Sequence, residues 1–167
     1  MSRSTLSRRI SEFLGVALFA ASLFWFVALA TYDPTDPVWF FSAGSQETAS
    51  NFAGQVGAFL AELSYQIVGF TAYLLPLVAA ALGWHFFWCR SNDLLYTKGA
   101  ATGLILCCSA SFLSLAFGPG LPTSRSFQVG GYLGSWLAVS LAEYLNRTGS
   151  IIVILTLFFL VLILTTQ

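Results

Sequence analysis

Residues 13–31 read FLGVALFAASLFWFVALAT, an uninterrupted run without a charged side chain. The hydrocarbon core of a bilayer needs a helix of about 20 apolar residues, so this run predicts a membrane-spanning helix. Arg3, Arg8 and Arg9 precede it. A cleaved signal peptide is the competing interpretation, since Ala28-Leu29-Ala30 has the small-x-small form of a cleavage site. Signal peptides have apolar regions of about 7–15 residues, and the greater length of this run favours a retained span.

The composition of the whole chain fits a protein in contact with lipid. Of its 167 residues, 57% are hydrophobic and 8% are charged. Soluble domains carry about 25% charged residues, so the composition excludes a soluble binding module. The formal net charge of zero gives no overall attraction for nucleic acid.

Three further apolar runs follow the first, at residues 65–88, 99–117 and 150–166. The four runs predict an all-α integral membrane protein with four transmembrane helices. Residues 1–12 are predicted to form a cytoplasmic segment and residues 13–167 the membrane domain. Pro76 lies within the second run, where its ring removes a backbone donor and predicts a kink.

The distribution of Lys and Arg predicts the orientation, because cytoplasmic loops carry an excess of both. With the N-terminus in the cytoplasm, the basic residues that fall inside are Arg3, Arg8, Arg9, Arg90 and Lys98. Only Arg125 and Arg147 then fall outside. The sequence therefore predicts that both termini are cytoplasmic.

Two amphipathic segments, residues 51–64 and 130–147, remain outside the four spans. We expect each to form a short interfacial or re-entrant helix on the outer side of the membrane. The polar face of the first segment consists of Asn51, Gln55, Glu62 and Gln66. Because these side chains are costly against lipid, we expect this face to point outward and to form a docking surface for partners.

Each amphipathic segment has an alternative interpretation. Residues 51–64 would otherwise be the polar start of the second span. Residues 130–147 would otherwise form a fifth span, which would place the C-terminus outside and Glu143 in hydrocarbon. Glu143 and Arg147 stand one helical turn apart, a spacing that allows an ion pair. Thr148-Gly149 is predicted to break the helix before the fourth span.

The two halves of the chain resemble each other around GAFLA at 57–61 and GSWLA at 134–138. Either the halves are parallel repeats related about the membrane normal, or the likeness is chance in a chain rich in Gly, Ala and Leu. Two glycine pairs, Gly99/Gly103 and Gly130/Gly134, have the small-x-x-x-small spacing that lets helices pack closely.

The most distinctive short string runs from Asp33-Pro34 through Thr35 to Asp36-Pro37. Two acidic residues three positions apart could indicate a cation site. A stiff turn is the favoured interpretation, because each proline fixes its own φ and favours extended geometry in the preceding residue. Aspartate side chains also cap backbone donors in turns, so asparagine at both positions is expected to retain this role.

The sequence contains no motif for catalysis, a cofactor or a metal. Lys98-Gly99 lacks the upstream glycine and the following hydroxyl residue of a phosphate-binding loop. His85, the only histidine, lies beside Trp84 and Trp88 and is interpreted as part of an interfacial aromatic belt. The cysteines, which are interpreted as small apolar residues, are Cys89, Cys107 and Cys108.

Four strings in order carry a family resemblance: TYDPTDP at 31–37, NFAGQVGAFLA at 51–61, GFTAYLLPL at 69–77 and GGYLG at 130–134. They contain the glycines Gly54, Gly57 and Gly131. Over nearly the whole chain, the series resembles the N-terminal four-span domain of the FtsK/SpoIIIE family of bacterial DNA translocases.

The resemblance implies a membrane anchor and division-site scaffold in the bacterial inner membrane, at the septum. In that family, a linker and a hexameric ATPase motor follow, and the protein couples chromosome segregation to cell division. ATP, Mg²⁺, DNA and hexamer formation would belong to that motor. The implied partners of this chain are the bilayer and other membrane division proteins. No enzymatic residue carries over, and we expect the chain, which ends at Gln167, to be one domain of a larger protein.

A small transporter or channel is the alternative function. Its support is the possible repeat, the re-entrant segments and the kink predicted at Pro76. Transport sites usually require polar or ionisable residues near the middle of the bilayer. The four runs contain no charged residue, which favours the anchor.

Overall fold

The computed structural model describes residues 5–38, 49–88, 95–118 and 127–166. The elements in chain order are α1 (Thr5–Ala30), α2 (Gly54–Val68), a 3-10 helix (Gly69–Tyr73), α3 (Leu74–Phe87), α4 (Leu95–Phe117) and α5 (Gly131–Thr166). Four helical stretches are long and apolar enough to cross a membrane: Arg9–Ala30, Gly54–Phe87, Gly99–Phe117 and Gly131–Thr165. The predicted all-α, four-span class is confirmed. Arg3, Cys89, Arg90 and Arg125 lie outside the described residues.

Two helical hairpins form the bundle, one from α1 and α3 and the other from α4 and α5. In the first hairpin, the Ser22 hydroxyl donates to the carbonyl oxygen of Pro76 at 2.7 Å, and the Ser11 hydroxyl donates to that of Phe86 at 2.7 Å. Because residue 22 pairs with 76 and residue 11 with 86, the two helices run antiparallel. A Cβ added at Gly15 would lie 2.7 Å from the backbone nitrogen of Phe87, so the two backbones are in close contact there.

Large apolar side chains cover the outside of the bundle. The exposed set on α1 includes Phe13, Val16, Phe19 and Leu23, and that on α5 includes Phe159, Leu160, Ile163 and Leu164. An apolar surface of this extent would be an aggregation hazard in water. In lipid it is the expected surface of a spanning helix, because hydrocarbon excludes charged groups and accepts apolar ones.

The second span is interrupted, and the interruption lies before the proline. Helix α2 continues to Val68, beyond the end predicted at residue 64, and a 3-10 helix joins it to α3. Pro76 is the third residue of α3. The first turn of a helix has no intrahelical acceptors for its N–H groups, so proline fits there without losing a hydrogen bond. The predicted kink therefore takes the form of a 3-10 segment at residues 69–73.

Helix α5 contains a break at Asn146, where φ is 56° and ψ is 167°. The break precedes the predicted position, Thr148-Gly149, which is helical. It divides α5 into residues 131–145, close to the predicted outer helix, and residues 147–166, which form the fourth span. The sharp turn also removes Glu143 and Arg147 from a common helix face. Arg147 contacts α4 instead, and the predicted pair with Glu143 is wrong among the side chains that the structure describes.

The C-terminal ends of α1 and α4 lie on the same side of the bundle, because both contact the segments around Gly69 and Gly131. Tyr73 bonds to Leu29 near the end of α1, and Gly130 lies against Ala110 and Ser114 of α4. We call this side, marked by Ala30 and Phe117, the distal end. Helix α2 and residues 131–145 of α5 both pack at the distal end.

The two halves have matching backbone features when Gly57 is aligned with Gly134. In that alignment, Gly54 falls on Gly131, and their φ values are 67° and 65°. Gly69 falls on Asn146, and their φ values are 60° and 56°. The N–H of Gly54 donates to Asn51 O at 2.8 Å, and the N–H of Gly131 donates to Gln128 O at 2.9 Å. Agreement at each helix start and each helix break favours a repeat over a chance likeness of short strings.

Candidate functional site

An aromatic cluster holds the distal end together. Phe127 from the second half stacks on Tyr65 from α2, with ring centroids 4.4 Å apart and an interplanar angle of 12°. The rings packed around this pair are Tyr32, Phe70 and Tyr73. The Tyr65 hydroxyl donates to the Leu29 carbonyl oxygen at 3.0 Å. The cluster therefore joins the two halves and also satisfies a terminal carbonyl of α1.

Asp36 closes the loop between α1 and α2. Its side chain is 1% exposed. One carboxylate oxygen accepts from the Ser50 N–H at 2.6 Å and from the Ser50 hydroxyl at 2.8 Å. The other accepts from the Asn51 N–H at 3.2 Å. A buried carboxylate with several donors is a strong local constraint, so Asp36 fixes where α2 starts relative to α1.

Asp33 makes a smaller, local turn. Its Oδ1 accepts from the backbone N–H of Thr35 at 2.9 Å and from the Thr35 hydroxyl at 2.7 Å. These two bonds hold the pKa of Asp33 below its ordinary value, and the bond from the Thr35 hydroxyl has the larger effect. Pro34 is exposed, and Pro37 is half-buried. The string thus combines one half-buried turn aspartate with one buried loop-closing aspartate.

Asn51 connects the start of α2 to the end of α1. Its side-chain amide donates to the carbonyl oxygen of Ala28 at 2.8 Å and to that of Thr31 at 3.2 Å. Its Oδ1 accepts from the Ala53 N–H at 2.9 Å. Gly57 makes room for this arrangement, because a Cβ there would lie 2.8 Å from the Asn51 Oδ1. Asn51 thereby satisfies carbonyls that the end of a helix leaves without partners.

The polar face of α2 points into the protein, contrary to the sequence prediction. Glu62 is 4% exposed, and it accepts hydrogen bonds from the Tyr32 hydroxyl and, at 3.0 Å, from the Gln66 amide. Phe52 and Val56, by contrast, are 85% and 70% exposed. In hydrocarbon, a helix turns its polar side chains toward the protein and its apolar side chains outward, the reverse of its arrangement in water. The predicted outward docking face of Asn51, Glu62 and Gln66 is therefore wrong, and of the four predicted residues only Gln55 is exposed.

Replacing Glu62 with alanine is expected to destabilise the chain, whereas replacing Gln55 is expected to have little effect. Loss of Glu62 leaves the Tyr32 hydroxyl and the Gln66 amide without this acceptor in a buried setting. Stranding buried polar groups costs about 1–3 kcal/mol each. Denaturation of the purified protein in detergent would measure the change. A Glu62→Ala variant as stable as Gln55→Ala would contradict the inward-facing arrangement.

The two halves meet where Gly69 crosses Gly131. The Phe70 N–H donates to the Val129 carbonyl oxygen at 2.9 Å, which joins the backbones directly. A Cβ on Gly131 would lie 2.5 Å from the backbone nitrogen of Gly69 and 2.5 Å from the Ile67 carbonyl oxygen. Only glycine combines the required positive φ with so close an approach.

The two small-residue pairs have different environments. Gly130 and Gly134 lie against α4, where a Cβ on either would collide with the carbonyl oxygen of Ala110. A Cβ on Gly99 or Gly103 would meet no described atom within 4 Å. Gly130 and Gly134 therefore pack against α4 within the chain, whereas Gly99 and Gly103 have no close neighbour among the described residues.

Arg147 lies at the distal end and contacts α4 rather than Glu143, the partner that the sequence spacing allowed. Its Nε donates to the Leu115 carbonyl oxygen at 2.9 Å, and its Nη2 donates to the Ala116 carbonyl oxygen at 3.1 Å. A cation at the C-terminal end of a helix is favoured by the helix dipole and by the unpaired carbonyls. The sequence signal for this contact was an isolated arginine next to a predicted helix break.

The described residues hold no group of His, Cys, Asp and Glu side chains arranged for a metal. His85 is half-buried in α3, and its Nδ1 has no partner within these ranges. Cys108 is buried and Cys107 half-buried in α4, both as free thiols. The polar side chains concentrated at the distal end instead cap helices and close loops. This arrangement can hold a bundle in a fixed shape.

Comparison with known proteins gives a match over residues 7–167 to a family described as the 4TM region of DNA translocase FtsK/SpoIIIE. A protein of Pseudomonas putida named DNA translocase FtsK is 30% identical over 162 residues, which cover 93% of this chain and 19% of that protein. The protein of the same name from Pseudomonas aeruginosa is 32% identical over 163 residues, covering 93% of this chain and 20% of that protein.

A shorter match to the DNA translocase FtsK of Azospirillum brasilense is 37% identical over 82 residues, or 49% of this chain and 13% of that protein. The chain thus spans about a fifth of the length of the Pseudomonas relatives. No solved structure matches the chain.

Proposed function

We propose that this chain, which belongs to the family of the 4TM region of the DNA translocases FtsK and SpoIIIE, is the membrane anchor and division-site scaffold of a septal DNA translocase. In this proposal, the anchor sits in the bacterial inner membrane at the septum and holds the translocase there while the chromosome is segregated. The observation that carries the proposal is the family match over residues 7–167.

The distal end supports a scaffold role. Asp36, Asn51 and Glu62 are bonded within the chain, and the aromatic cluster ties the two halves together. These hydrogen bonds and ring contacts hold the distal end in a fixed shape, which suits a protein that must keep its position in the septum. We place the recruiting contacts with other membrane division proteins on the exposed part of the distal end, which includes Phe52, Gln55 and Val56.

The motor lies, in this proposal, in the part of the translocase outside this chain. ATP and Mg²⁺ would bind there, and DNA would contact the protein only through the motor. The Pseudomonas relatives are about five times as long as the matched region, which leaves room for such domains. We also assign the order of a hexamer to the motor, so the chain alone should be monomeric or weakly associated in detergent.

Both chain termini are expected in the cytoplasm and the distal end outside it. The excess of Lys and Arg in the loops assigned to the inside supports this orientation. Reporter fusions at Gln46 and Ser124 should therefore read as external, and fusions at Asn92 and Gln167 as internal. An external reading at Gln167 would contradict the four-span orientation and would favour a fifth span.

A hybrid translocase tests the anchor function. The four-span region of the Pseudomonas putida FtsK would be replaced by this chain, and septal position of the hybrid and chromosome trapping at closing septa would be scored. We expect the hybrid to localise and to segregate chromosomes about as the parent does. A hybrid that inserts in the membrane but spreads evenly around the cell would overturn the proposal.

A flux assay separates the anchor from the transporter or channel. The chain would be reconstituted in liposomes and tested for passage of Na⁺, K⁺, protons and a neutral sugar. The anchor predicts no flux above that of protein-free liposomes. Saturable flux of any of these solutes would favour the alternative.

A further inference from the structure

A groove of about 500 Å³ lies at the distal end, between the end of α4 and residues 131–145 of α5. Its apolar walls include Val129, Ala138, Val139 and Ala142. The polar residues Ser114, Gln128, Ser135 and Arg147 also line it. The groove thus combines an apolar surface with the cation of Arg147. Capping the end of α4, the structural role of Arg147, does not require an apolar groove beside it.

The Arg147 guanidinium is only partly used by the fold. Its Nε and one N–H of Nη2 donate to α4 carbonyls, while an arginine carries five N–H donors in a planar fork. The residue is exposed and lines the groove, so the remaining donors on Nη1 and Nη2 are accessible to a ligand. The two carbonyl bonds hold the guanidinium in place, and an anion would therefore meet donors whose position is already fixed.

The charge and the position of the groove point to one class of occupant. Arginine matches the geometry of phosphate oxygens through paired N–H···O bonds. Among the side chains described at the distal end, Arg147 is the arginine or lysine that could provide this match. In a chain that spans a bilayer, the abundant molecules that join a phosphate to hydrocarbon are phospholipids. Their phosphates lie at the ends of the spanning helices, where Arg147 is placed.

We propose that this groove binds a membrane phospholipid, with the lipid phosphate on the free N–H groups of Arg147 and an acyl chain against Val139 and Ala142. Ser114 and Ser135 line the same groove, and in this proposal they provide further polar contacts for the headgroup. Since the recognised group is the phosphate, both phosphatidylglycerol and phosphatidylethanolamine are bound. A bound lipid connects the end of α4 to the helix break at Asn146.

Native mass spectrometry of the 167-residue chain in detergent tests this site. The probes are phosphatidylglycerol, phosphatidylethanolamine, diacylglycerol of the same acyl chains, and glycerol phosphate. Both phospholipids should bind at least about tenfold more tightly than diacylglycerol, as a charge-assisted phosphate contact predicts. Glycerol phosphate, which has no acyl chains, should not compete at equal concentration. Diacylglycerol that binds as well as the phospholipids would overturn the proposal.

Two variants separate the phosphate contact from the fold. Arg147→Gln removes the cation but also loosens the end of α4, so Ala142→Phe is the second test, because it fills the groove and leaves Arg147 and its carbonyl bonds in place. The matched control is Cys107→Phe, which fills a separate apolar cavity of about 340 Å³ lined by Tyr132 and Trp136. Phospholipid binding should fall about tenfold in Ala142→Phe and remain in Cys107→Phe. Unchanged binding in Ala142→Phe, or equal loss in both, would contradict the assignment.

Discussion

A Gly131→Ala variant is expected to lose about 3 to 5 kcal/mol of unfolding free energy, because it combines a left-handed φ with overpacking. The φ at Gly131 is 65°. The new Cβ would lie 2.5 Å from the backbone nitrogen of Gly69 and 2.5 Å from the Ile67 carbonyl oxygen. Neither backbone can move without disturbing the Phe70–Val129 hydrogen bond that joins the halves. Reversible unfolding in mixed detergent micelles would measure the loss.

Gly54→Ala is the matched control for this variant. Gly54 has a φ of 67° and starts α2 as Gly131 starts α5, but a Cβ there meets no described atom within 4 Å. We expect it to lose only about 1–2 kcal/mol, the cost of the left-handed conformation. The difference between the two variants isolates the close crossing of the halves. Equal losses would show that the crossing contributes nothing to stability.

The second large effect is expected at Asp36. Asp36→Ala should cost about 3 kcal/mol or more, because charge-assisted hydrogen bonds contribute about 1.5–3 kcal/mol each and the buried donors would lose their acceptor. Asp36→Asn should also destabilise the chain, since an asparagine amide would face the Asn51 N–H donor. Both carboxylate oxygens of Asp36 are used as acceptors, and asparagine offers only one.

Asp33→Asn is the control within the same string. Only the Oδ1 of Asp33 accepts from Thr35, and asparagine retains such an oxygen. The change in unfolding free energy should stay within about 0.5 kcal/mol, as for most surface substitutions. Thermal unfolding of both asparagine variants would compare them directly. A destabilised Asp33→Asn together with an unaffected Asp36→Asn would reverse the assignment of the two roles.

The sequence alone does not distinguish the roles of Asp33 and Asp36. The string predicts turn aspartates and treats both alike, so it predicts that asparagine serves at either position. The difference arises because Ser50 and Asn51 return to Asp36 from the far side of a loop. Proximity in the sequence finds the local bond from Thr35 to Asp33, but it does not find bonds to residues more than a dozen positions away.

The four spans were predictable because length and hydropathy alone define them. The faces of α2 were also predictable from helical periodicity, but not their direction. Periodicity places Glu62 and Val56 on opposite faces of the helix. It does not show whether the outer face meets water or lipid, and this decides which face points inward. The partners that decide the direction, Tyr32 for Glu62 and the α1 carbonyls for Asn51, come from other segments.

The positions of the helix breaks were also only partly predictable from the sequence. Gly69 and Asn146 adopt positive φ values, yet the neighbouring Pro76 and Thr148-Gly149 gave the stronger local signals. The observed breaks coincide with tertiary contacts: Gly69 crosses Gly131, and Arg147, directly after the turn at Asn146, donates to carbonyl oxygens at the end of α4. The residues needed for the crossing were visible as glycines, but their pairing was not.

Imaging the chain in dividing cells is the most direct test of the proposed anchor. The 167 residues would be fused to a fluorescent protein at Gln167 and expressed without a motor domain. Gly131→Ala would be the unfolding control, and membrane fractionation would confirm insertion. We expect a fluorescent band at the septum for the unaltered chain and a loss of that band for the variant. Uniform membrane fluorescence from the inserted, unaltered chain would contradict it.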